Sequence, residues 1–423
     1  MTLLINPGHD GSHEHKSHRA IHRDPPPMSL LYVAANYLRD GKNVQILDTH
    51  INTKWQGILQ TMDFDEVGIS VIIGQNLANA GEITRWLREH KPNVKVTWGG
   101  VMPTVFPEAI KAHYEPDEVF MGRMDEDLVP AWELLGQNFN KQQIPYYHMV
   151  MTSSGCPFSC SFCYKHSLPS GKAYKLRSAE GVIEELEFMH YLTHTRVFTF
   201  GDDNFLINKK RALKILDYMR TRGWYAEEVI GHFNGIDDDL IAAMGGVVQT
   251  FIGSVETASP RLQLLLNKNL ELEAVPGKLA ALNRVGIAAN VPFIIGLPTE
   301  KDEDLELDWA FMERVREKAP WVRGQVYLWY PLPKTVLTTF AEQEYDVDLR
   351  FSLSDYERAN FWVDEKLDGR EFRPWISEER YAMLYKWGTR FKDVFHYPNK
   401  RGPYVLDRVL SGEKINLRED LRW

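Results

Sequence analysis

Gly155-Cys-Pro-Phe-Ser-Cys-Ser-Phe-Cys-Tyr164 contains every cysteine of a 423-residue chain: Cys156, Cys160 and Cys163. Scattered core thiols would not gather in one short window. A secreted disulfide framework needs an even count spread along the chain, so three clustered thiols point to a reducing, cytoplasmic compartment and to a metal or redox role. The segment directly follows the β-rich run His148–Ser153, which places its thiols on a loop at the carboxyl end of a strand.

Working outward, strand-like and helix-like runs alternate on both sides. Downstream, Arg196–Phe200, Glu228–His232, Gln249–Val255, Asn290–Ile295 and Gly324–Tyr330 read as further strands. Between or after them, Ala179–Tyr191, Lys210–Arg222, Asp238–Met244, Pro260–Leu266, Glu273–Arg284 and Glu303–Lys318 carry helical patterns. Six βα units in about 180 residues predict a partial (β/α)6 barrel, short of the eight that close a full one, with its chemistry on the loops after the strands. Upstream, Thr2–Asn6, Asn43–Asp48, Glu66–Ile73, Val94–Trp98 and Glu118–Met121 alternate with Met28–Arg39, Lys54–Met62, Leu77–Glu89 and Glu126–Leu135. That pattern predicts a five-stranded doubly wound unit whose ligand crevice lies beyond the carboxyl ends of its strands, at Pro7–Pro27, Gly74–Asn76 and Gly99–Pro103. The aromatic tail predicts helices and loops packed against the barrel. The expected division is 1–140, 141–340 and 341–423.

Composition narrows the function classes. Hydrophobic residues make up 44% and charged residues 25%, as in ordinary globular proteins. Acidic residues outnumber basic ones 58 to 49, giving a net charge of −9, which disfavours a general nucleic-acid binder. No apolar run approaches the ~18 residues of a membrane span, and Met1–Ile5 is too short for the core of a signal peptide. The expectation is a cytoplasmic protein with no nucleic-acid or membrane partner.

A [4Fe–4S] cluster needs four ligands, and three thiolates leave one iron for water, substrate or an exogenous chelate. A Cys3His zinc site with His166 is the competing reading, in which the chain is a zinc-stabilised binding module without chemistry. The Cys-x3-Cys-x2-Cys spacing, with aromatic Phe162 before the last cysteine, resembles the radical S-adenosylmethionine superfamily. The resemblance implies that the amino and carboxyl groups of S-adenosylmethionine chelate the open iron, and that one electron cleaves the sulfonium to a 5′-deoxyadenosyl radical. It further implies an external electron donor such as flavodoxin, ferredoxin or a dedicated reductase.

Later positions extend the resemblance to about Tyr146–Pro333. Gly201-Asp202-Asp203 follows the second strand where the family has a Gly-Gly-Glu-like stretch, so Asp202 or Asp203 is expected to hold the methionine amine through a charge-assisted hydrogen bond; an Asx turn is the alternative. Glu256, ending the fourth strand before a Leu-rich helix and an Asn-Lys pair, is expected to reach the ribose hydroxyls or substrate, or else to be a helix-capping acid. Pro292-Phe-Ile-Ile-Gly-Leu-Pro-Thr-Glu300 matches the family's fifth-strand pattern, with Ile295, Gly296 and Pro298 expected beside adenine and Gly296 permitting close approach. Tyr327–Pro333 resembles the sixth-strand exit.

In relatives with an α/β domain ahead of the barrel, that domain resembles the Rossmann-like cobalamin-binding fold. Ser70-Val71-Ile72 and Gly99-Gly100 match the stretches that line the cobalamin nucleotide tail, which assigns Ser70, Ile72, Gly99 and Gly100 to the cofactor. The Asp-x-His-x-x-Gly lower-ligand motif is missing. In its place, the loop after the first strand carries His9, His13, His15, His18 and His22, each of which can touch a corrin, a metal or substrate, or be a solvated loop residue. Pro7-Gly8 lacks the Gly-x-Gly-x-x-Gly run of a dinucleotide site. The resemblance implies a [4Fe–4S] cluster, S-adenosylmethionine and cobalamin, and its leading reading is cobalamin-dependent C-methylation of a small biosynthetic substrate such as a sugar, amino-sugar or peptide. The alternative is cobalamin-free radical dehydration, dehydrogenation, epimerisation or rearrangement with a vestigial domain, in which Asp202, Glu256, Tyr327 and Tyr330 would relay protons or electrons.

Overall fold

A computed structural model describes residues 1–8, 27–49, 52–121, 128–135, 149–167, 174–358 and 372–396. The histidine-rich loop, the Gly136–Gln143 stretch and most of the aromatic tail lie outside these. The chain divides into two compact units.

The first unit is built on β1 (Thr2–Asn6), β2 (Val44–Asp48), β3 (Glu66–Ser70), β4 (Lys95–Gly99) and β5 (Glu118–Val119), all parallel in the order β2-β1-β3-β4-β5. Its helices are α1 (Met28–Arg39), α2 (Trp55–Thr61), α3 (Gln75–His90), α4 (Val101–Val105) and α5 (Pro107–Tyr114). β1 is apolar almost throughout because both its faces are covered: Leu3 and Ile5 sit with Val67, Ile69 and Trp98 in one core, while Leu4 sits with Leu30, Ala34 and Val44 in another. The strand order reverses between β1 and β3, and ligands of such sheets bind at that switch point.

Three readings of this unit change. The third strand stops at Ser70 rather than Ile73. The helix expected from Leu77 starts two residues earlier, at Gln75, after Gly74 at φ 85°, and the Asn76 side chain accepts from the Ile72 N–H at 2.8 Å and donates to the Pro7 carbonyl. Where a helix was expected to Leu135, a 3-10 turn occupies Trp132–Leu135, and residues 122–127 lie outside the description.

The second unit carries β6 (Met149–Val150), β7 (Ser153–Ser154), β8 (Lys175–Leu176), β9 (Val197–Phe200), β10 (Tyr225–Ile230), β11 (Val248–Ile252), β12 (Ala288–Ile295) and β13 (Val322–Leu328). Six of these form one parallel sheet, β13-β12-β11-β10-β9-β6, as the six βα units predict. The helices are α6 (Ala179–Thr193), α7 (Lys209–Arg222), α8 (Asp238–Met244), α9 (Pro260–Leu265), α10 (Val275–Arg284), α11 (Asp302–Lys318) and α12 (Val336–Tyr345). Phe293 of β12 meets Phe311 of α11 in an edge contact, which marks the helix side of the sheet.

The expected first barrel strand is divided. Thr152 gives its N–H to the Asp202 carboxylate at 3.1 Å, and its carbonyl accepts from the Arg177 N–H and the Arg211 guanidinium, so it leaves the β6 ladder, and β7 pairs antiparallel with β8. The tail divides as well. α13 (Leu353–Arg358) packs in the first unit, where Tyr356 joins the core and the Gly74 N–H donates to its carbonyl at 2.9 Å, whereas α14 (Glu378–Val394) lies along β13. Among the described residues no helix is long and apolar enough to cross a membrane.

Candidate active site at the barrel mouth

The cysteine loop leaves β7 through Gly155, whose φ of 77° turns the chain out of the strand. It is then fastened along its length. Ser161 donates its N–H to the Leu266 carbonyl at 2.9 Å and its hydroxyl to the Leu265 carbonyl at 2.8 Å, while its own carbonyl accepts from the Leu337 N–H at 2.9 Å. Asn267 donates to the Ser159 carbonyl at 2.8 Å. The loop is therefore pinned by the end of α9 and the start of α12. A turn from the Cys163 N–H to the Cys160 carbonyl orients the last two thiols.

All three thiols are half-buried and free of disulfides. Burial pushes each of them up, Cys160 to about 11, with Lys268 pulling Cys160 and Cys156 the other way. Cys160 also feels both other cysteines. Metal ligation requires these thiols to lose their protons, and the Lys268 ammonium near Cys156 and Cys160 favours that loss against the burial. Among the described residues no three His, Cys, Asp or Glu side chains converge on a point for one ion; a cubane takes each thiolate on a different iron. The backbone of His166 follows in a 3-10 turn, and its side chain lies outside the description.

The two aspartates after β9 occupy different places. Asp202 is fully buried and accepts hydrogen bonds from the Thr152 hydroxyl at 2.8 Å, the Thr152 N–H and the Ser153 hydroxyl; burial raises its carboxyl pKa. It ties β9 to the first barrel strand. Asp203 is more open and pairs with Lys165, just past the cysteine loop, at 2.9 Å. Gly201 has no room for a side chain, since a Cβ there would stand 2.6 Å from the Met151 sulfur and 2.8 Å from that of Met149.

Glu256 lies in left-handed backbone at φ 66°, between β11 and β12, with its carbonyl accepting from the Ile294 N–H at 2.7 Å. Its carboxylate and Lys268 form a buried pair at 3.1 Å. Ile295 and Pro298 are buried, and Gly296 at φ 71° would drive a Cβ to 2.6 Å from Leu328. Phe162 and Tyr327 are partly buried; burial raises the Tyr327 pKa, with Arg323, Glu256 and Glu228 nearby. Tyr330 is buried against Phe372, with the Arg373 guanidinium over its ring. The geometry thus gathers the cysteines, Lys268 and Glu256, with Asp203 at the same loop, and sets Asp202 apart as a strand fastener.

Sequence reading missed two groups here. Glu227 and Glu228 are adjacent on β10, and burial pushes Glu228 up to about 7 with Glu227 adding to it. The signal was two consecutive acids inside an otherwise apolar strand. His232, two residues past β10, is stacked under Phe158 of the cysteine loop with ring centroids 4.3 Å apart.

In the first unit, Ser70 ends β3 with its hydroxyl 3.1 Å from that of Ser29, and Ile72 is exposed just beyond. Gly99 ends β4. Gly100, at φ 105°, passes so near Val71 that a Cβ would lie 2.6 Å from its carbonyl oxygen. The bare edge between β3 and β4 offers backbone and a hydroxyl, as a flat nucleotide tail requires.

A loop of three half-buried thiols at the carboxyl mouth of a six-stranded parallel sheet, preceded in the chain by a doubly wound sheet, fits a class of iron–sulfur radical enzyme. Comparison agrees: residues 150–308 match the Radical SAM superfamily and residues 19–129 the B12 binding domain. The chain carries a radical SAM domain with a B12-binding domain ahead of it, and the radical SAM family implies a [4Fe–4S] cluster and S-adenosylmethionine.

Among relatives, an uncharacterized methyltransferase of Pyrococcus horikoshii is 32% identical over 222 residues, 51% of this chain and 47% of that protein. The chain thus matches about half the length of that relative. Hopanoid C-2 methylase of Rhodopseudomonas palustris is 23% identical, covering 94% of this chain and 81% of its own. Two solved structures share the fold. The cobalamin-dependent S-adenosylmethionine radical enzyme OxsB with aqua-cobalamin bound superposes with a TM-score of 0.67 at 15% identity over 99% of this chain and 77% of its own. The radical S-adenosylmethionine methyltransferase TsrM from Kitasatospora setae superposes with a TM-score of 0.65 at 16% identity over 81% of this chain and 76% of its own.

Proposed function

We propose that this chain is a cobalamin-dependent radical S-adenosylmethionine methyltransferase that alkylates an unactivated carbon of a small biosynthetic molecule. The observation that carries the reading is the cysteine loop itself: three desolvated thiols and no further cysteine in the chain, on a loop fastened at the barrel mouth. When bound, the cluster with S-adenosylmethionine supplies one-electron cleavage and hydrogen abstraction, and the corrinoid supplies a transferable methyl group.

The chain's residues bind and orient. Cys156, Cys160 and Cys163 hold three irons. Asp203, the more open carboxylate beside the loop, takes the methionine ammonium, while Asp202 keeps the strand beneath it in place. The Glu256–Lys268 pair offers an acceptor for ribose hydroxyls and a cation for the methionine end. Phe162, Ile295, Gly296 and Pro298 form an apolar wall for adenine, with Gly296 bare because Leu328 leaves no room. Tyr327 and Tyr330 line the sixth-strand exit toward substrate. Ser70, Ile72, Gly99 and Gly100 receive the corrinoid tail. A flavodoxin, a ferredoxin or a dedicated reductase delivers the electrons.

Anaerobic reconstitution with iron, sulfide and hydroxocobalamin tests this. The protein should develop iron–sulfur absorbance, release 5′-deoxyadenosine from S-adenosylmethionine under reduction, and pass an isotopically labelled methyl group to an acceptor. Turnover that proceeds undiminished in corrinoid-free medium, with no label in product, would reject methylation in favour of another radical outcome. Stoichiometric zinc with no iron–sulfur absorbance would reject both.

A further inference from the structure

The turn that receives adenine in the proposed function follows β12, and it does not hold its own shape. Gly296 at φ 71° and Thr299 at φ 63° are both left-handed, a backbone that a β-branched residue rarely adopts. Such a conformation persists only where its surroundings over-determine it, as at ligand clamps. Here most of the anchors come from other elements. Trp329 donates its N–H to the Ile295 carbonyl at 2.8 Å, and Thr299 donates its own to the Tyr345 hydroxyl of α12 at 2.7 Å. Arg261 of α9 donates to the Thr299 carbonyl at 2.6 Å. Closing the turn, the Glu300 carboxylate accepts from the Gly296 N–H at 2.9 Å.

The segment 372–380 touches each end of this arrangement. Arg373 donates to the Trp329 carbonyl and, at 3.4 Å, to that of Leu328. Trp375 stacks on Tyr345, with ring centroids 5.5 Å apart and planes 8° from parallel. Arg380, in the first turn of α14, sets its Nη2 3.6 Å from the Glu300 carboxylate and pairs through Nη1 with Asp302. The Glu300 side chain is 2% exposed, and a carboxylate so buried needs a counter-charge. Burial pushes its carboxyl up to about 8, with Asp304 adding to it, while the Gly296 N–H and Arg380 pull the other way. The arginine and the N–H therefore favour the same charged form, and each strengthens the other's hold on it. The segment lies outside the matched radical SAM domain, and the proposed chemistry gives it no task.

We propose that Arg380 is a positioning residue for S-adenosylmethionine, acting through the Glu300 carboxylate to hold the Gly296–Thr299 turn in the form that receives adenine. This rests on the reading of Ile295, Gly296 and Pro298 as the adenine wall, and it adds the segment 372–380 to the cofactor site. Without Arg380, the buried acid either takes up a proton or turns toward solvent, and both loosen its hold on Gly296.

Ultrafiltration binding on the full chain, reconstituted anaerobically with oxidised cluster and hydroxocobalamin, tests this at pH 8.5, where the wild-type carboxyl is ionised. The probes are S-adenosylmethionine and S-methylmethionine, which keeps the sulfonium, amino and carboxyl groups and lacks the adenosine. Arg380→Ala should weaken S-adenosylmethionine about tenfold, roughly what one charge-assisted hydrogen bond supplies, and leave S-methylmethionine within about twofold. Arg380→Lys should recover most of the loss. Two double variants carry no unpaired buried charge and so stay folded where the single variant does not. Glu300→Gln/Arg380→Ala keeps an acceptor for the Gly296 N–H and should bind S-adenosylmethionine within about threefold of the wild type. Glu300→Leu/Arg380→Ala lacks that acceptor and should bind about tenfold more weakly, with iron content and melting temperature close to those of its Gln counterpart.

The proposal is overturned if the two double variants bind S-adenosylmethionine alike, or if a folded Arg380→Ala binds it as the wild type does. It is also overturned if S-methylmethionine weakens in step, as a general loosening of the barrel would produce. A wild type that shows the expected binding pattern but never releases 5′-deoxyadenosine under reduction would overturn the functional reading alone.

Discussion

Glu228 shows how a single residue's surroundings set a measurable property of the whole fold. Burial raises its carboxyl from an ordinary 4.5 to about 7, with Glu227 adding to the effect and Arg323 opposing it. A carboxyl raised in the fold holds its proton more tightly folded than unfolded, so it destabilises progressively as pH climbs from the ordinary value toward 7, then levels off. Glu228→Gln removes this penalty. It should gain about 3 kcal/mol over the wild type near pH 8 and close to nothing near pH 4, read by urea unfolding at each pH. An equal effect at both would mean that Glu228 titrates normally. The residue scale is also where sequence reading was weakest. Asp202 and Asp203 are indistinguishable as letters, and only the approach of Thr152 and Ser153 shows that one is buried and the other more open. His232 gave no signal at all, because its stacking under Phe158 depends on where the cysteine loop runs.

At the scale of elements, the long strands and helices were legible because their periodicities are set by burial on known faces. The short ones were not. α4 spans five residues with Pro103 in its middle, and α5 opens on Pro107 and spans eight, so each is too short for a helical period to stand out. The break between β6 and β7 is decided by Asp202, just past β9, and Arg211 of α7, so no local pattern announces it. The cysteine loop, by contrast, was placed at a strand exit from its neighbours alone, yet its fastening was not visible. Ser161 joins it to the end of α9 through both its N–H and its hydroxyl, and to α12 through its carbonyl. Ser161→Ala removes only the hydroxyl bond, worth about 1 kcal/mol, and should barely move the melting temperature. Looser thiols should nonetheless lose iron to a chelator severalfold faster, followed as decay of cluster absorbance. Unchanged iron release would show that the loop's rigidity comes from its backbone contacts alone.

The two sets of residues proposed to bind cofactors fall in different compact units. The thiols belong to the second, whereas Ser70, Ile72, Gly99 and Gly100 belong to the first. Each unit has its own parallel sheet and its own core, so each set should fail by itself. Replacing all three cysteines by alanine should abolish iron incorporation and leave hydroxocobalamin binding within about twofold of the wild type, because nothing in the β1–β5 sheet depends on the thiols. Gly100→Val should do the reverse. Its side chain meets the Val71 carbonyl in a left-handed backbone, costing about 2–3 kcal/mol locally and closing the edge between β3 and β4 to a corrinoid tail. Iron content and S-adenosylmethionine binding should persist in that variant. Absorbance titration with hydroxocobalamin, paired with iron analysis on the same preparations, reads both losses at once. If the cysteine-free protein loses the corrinoid as completely as Gly100→Val does, the first unit does not bind it independently, and the bare glycine edge is a packing feature of β4 rather than a cofactor cleft.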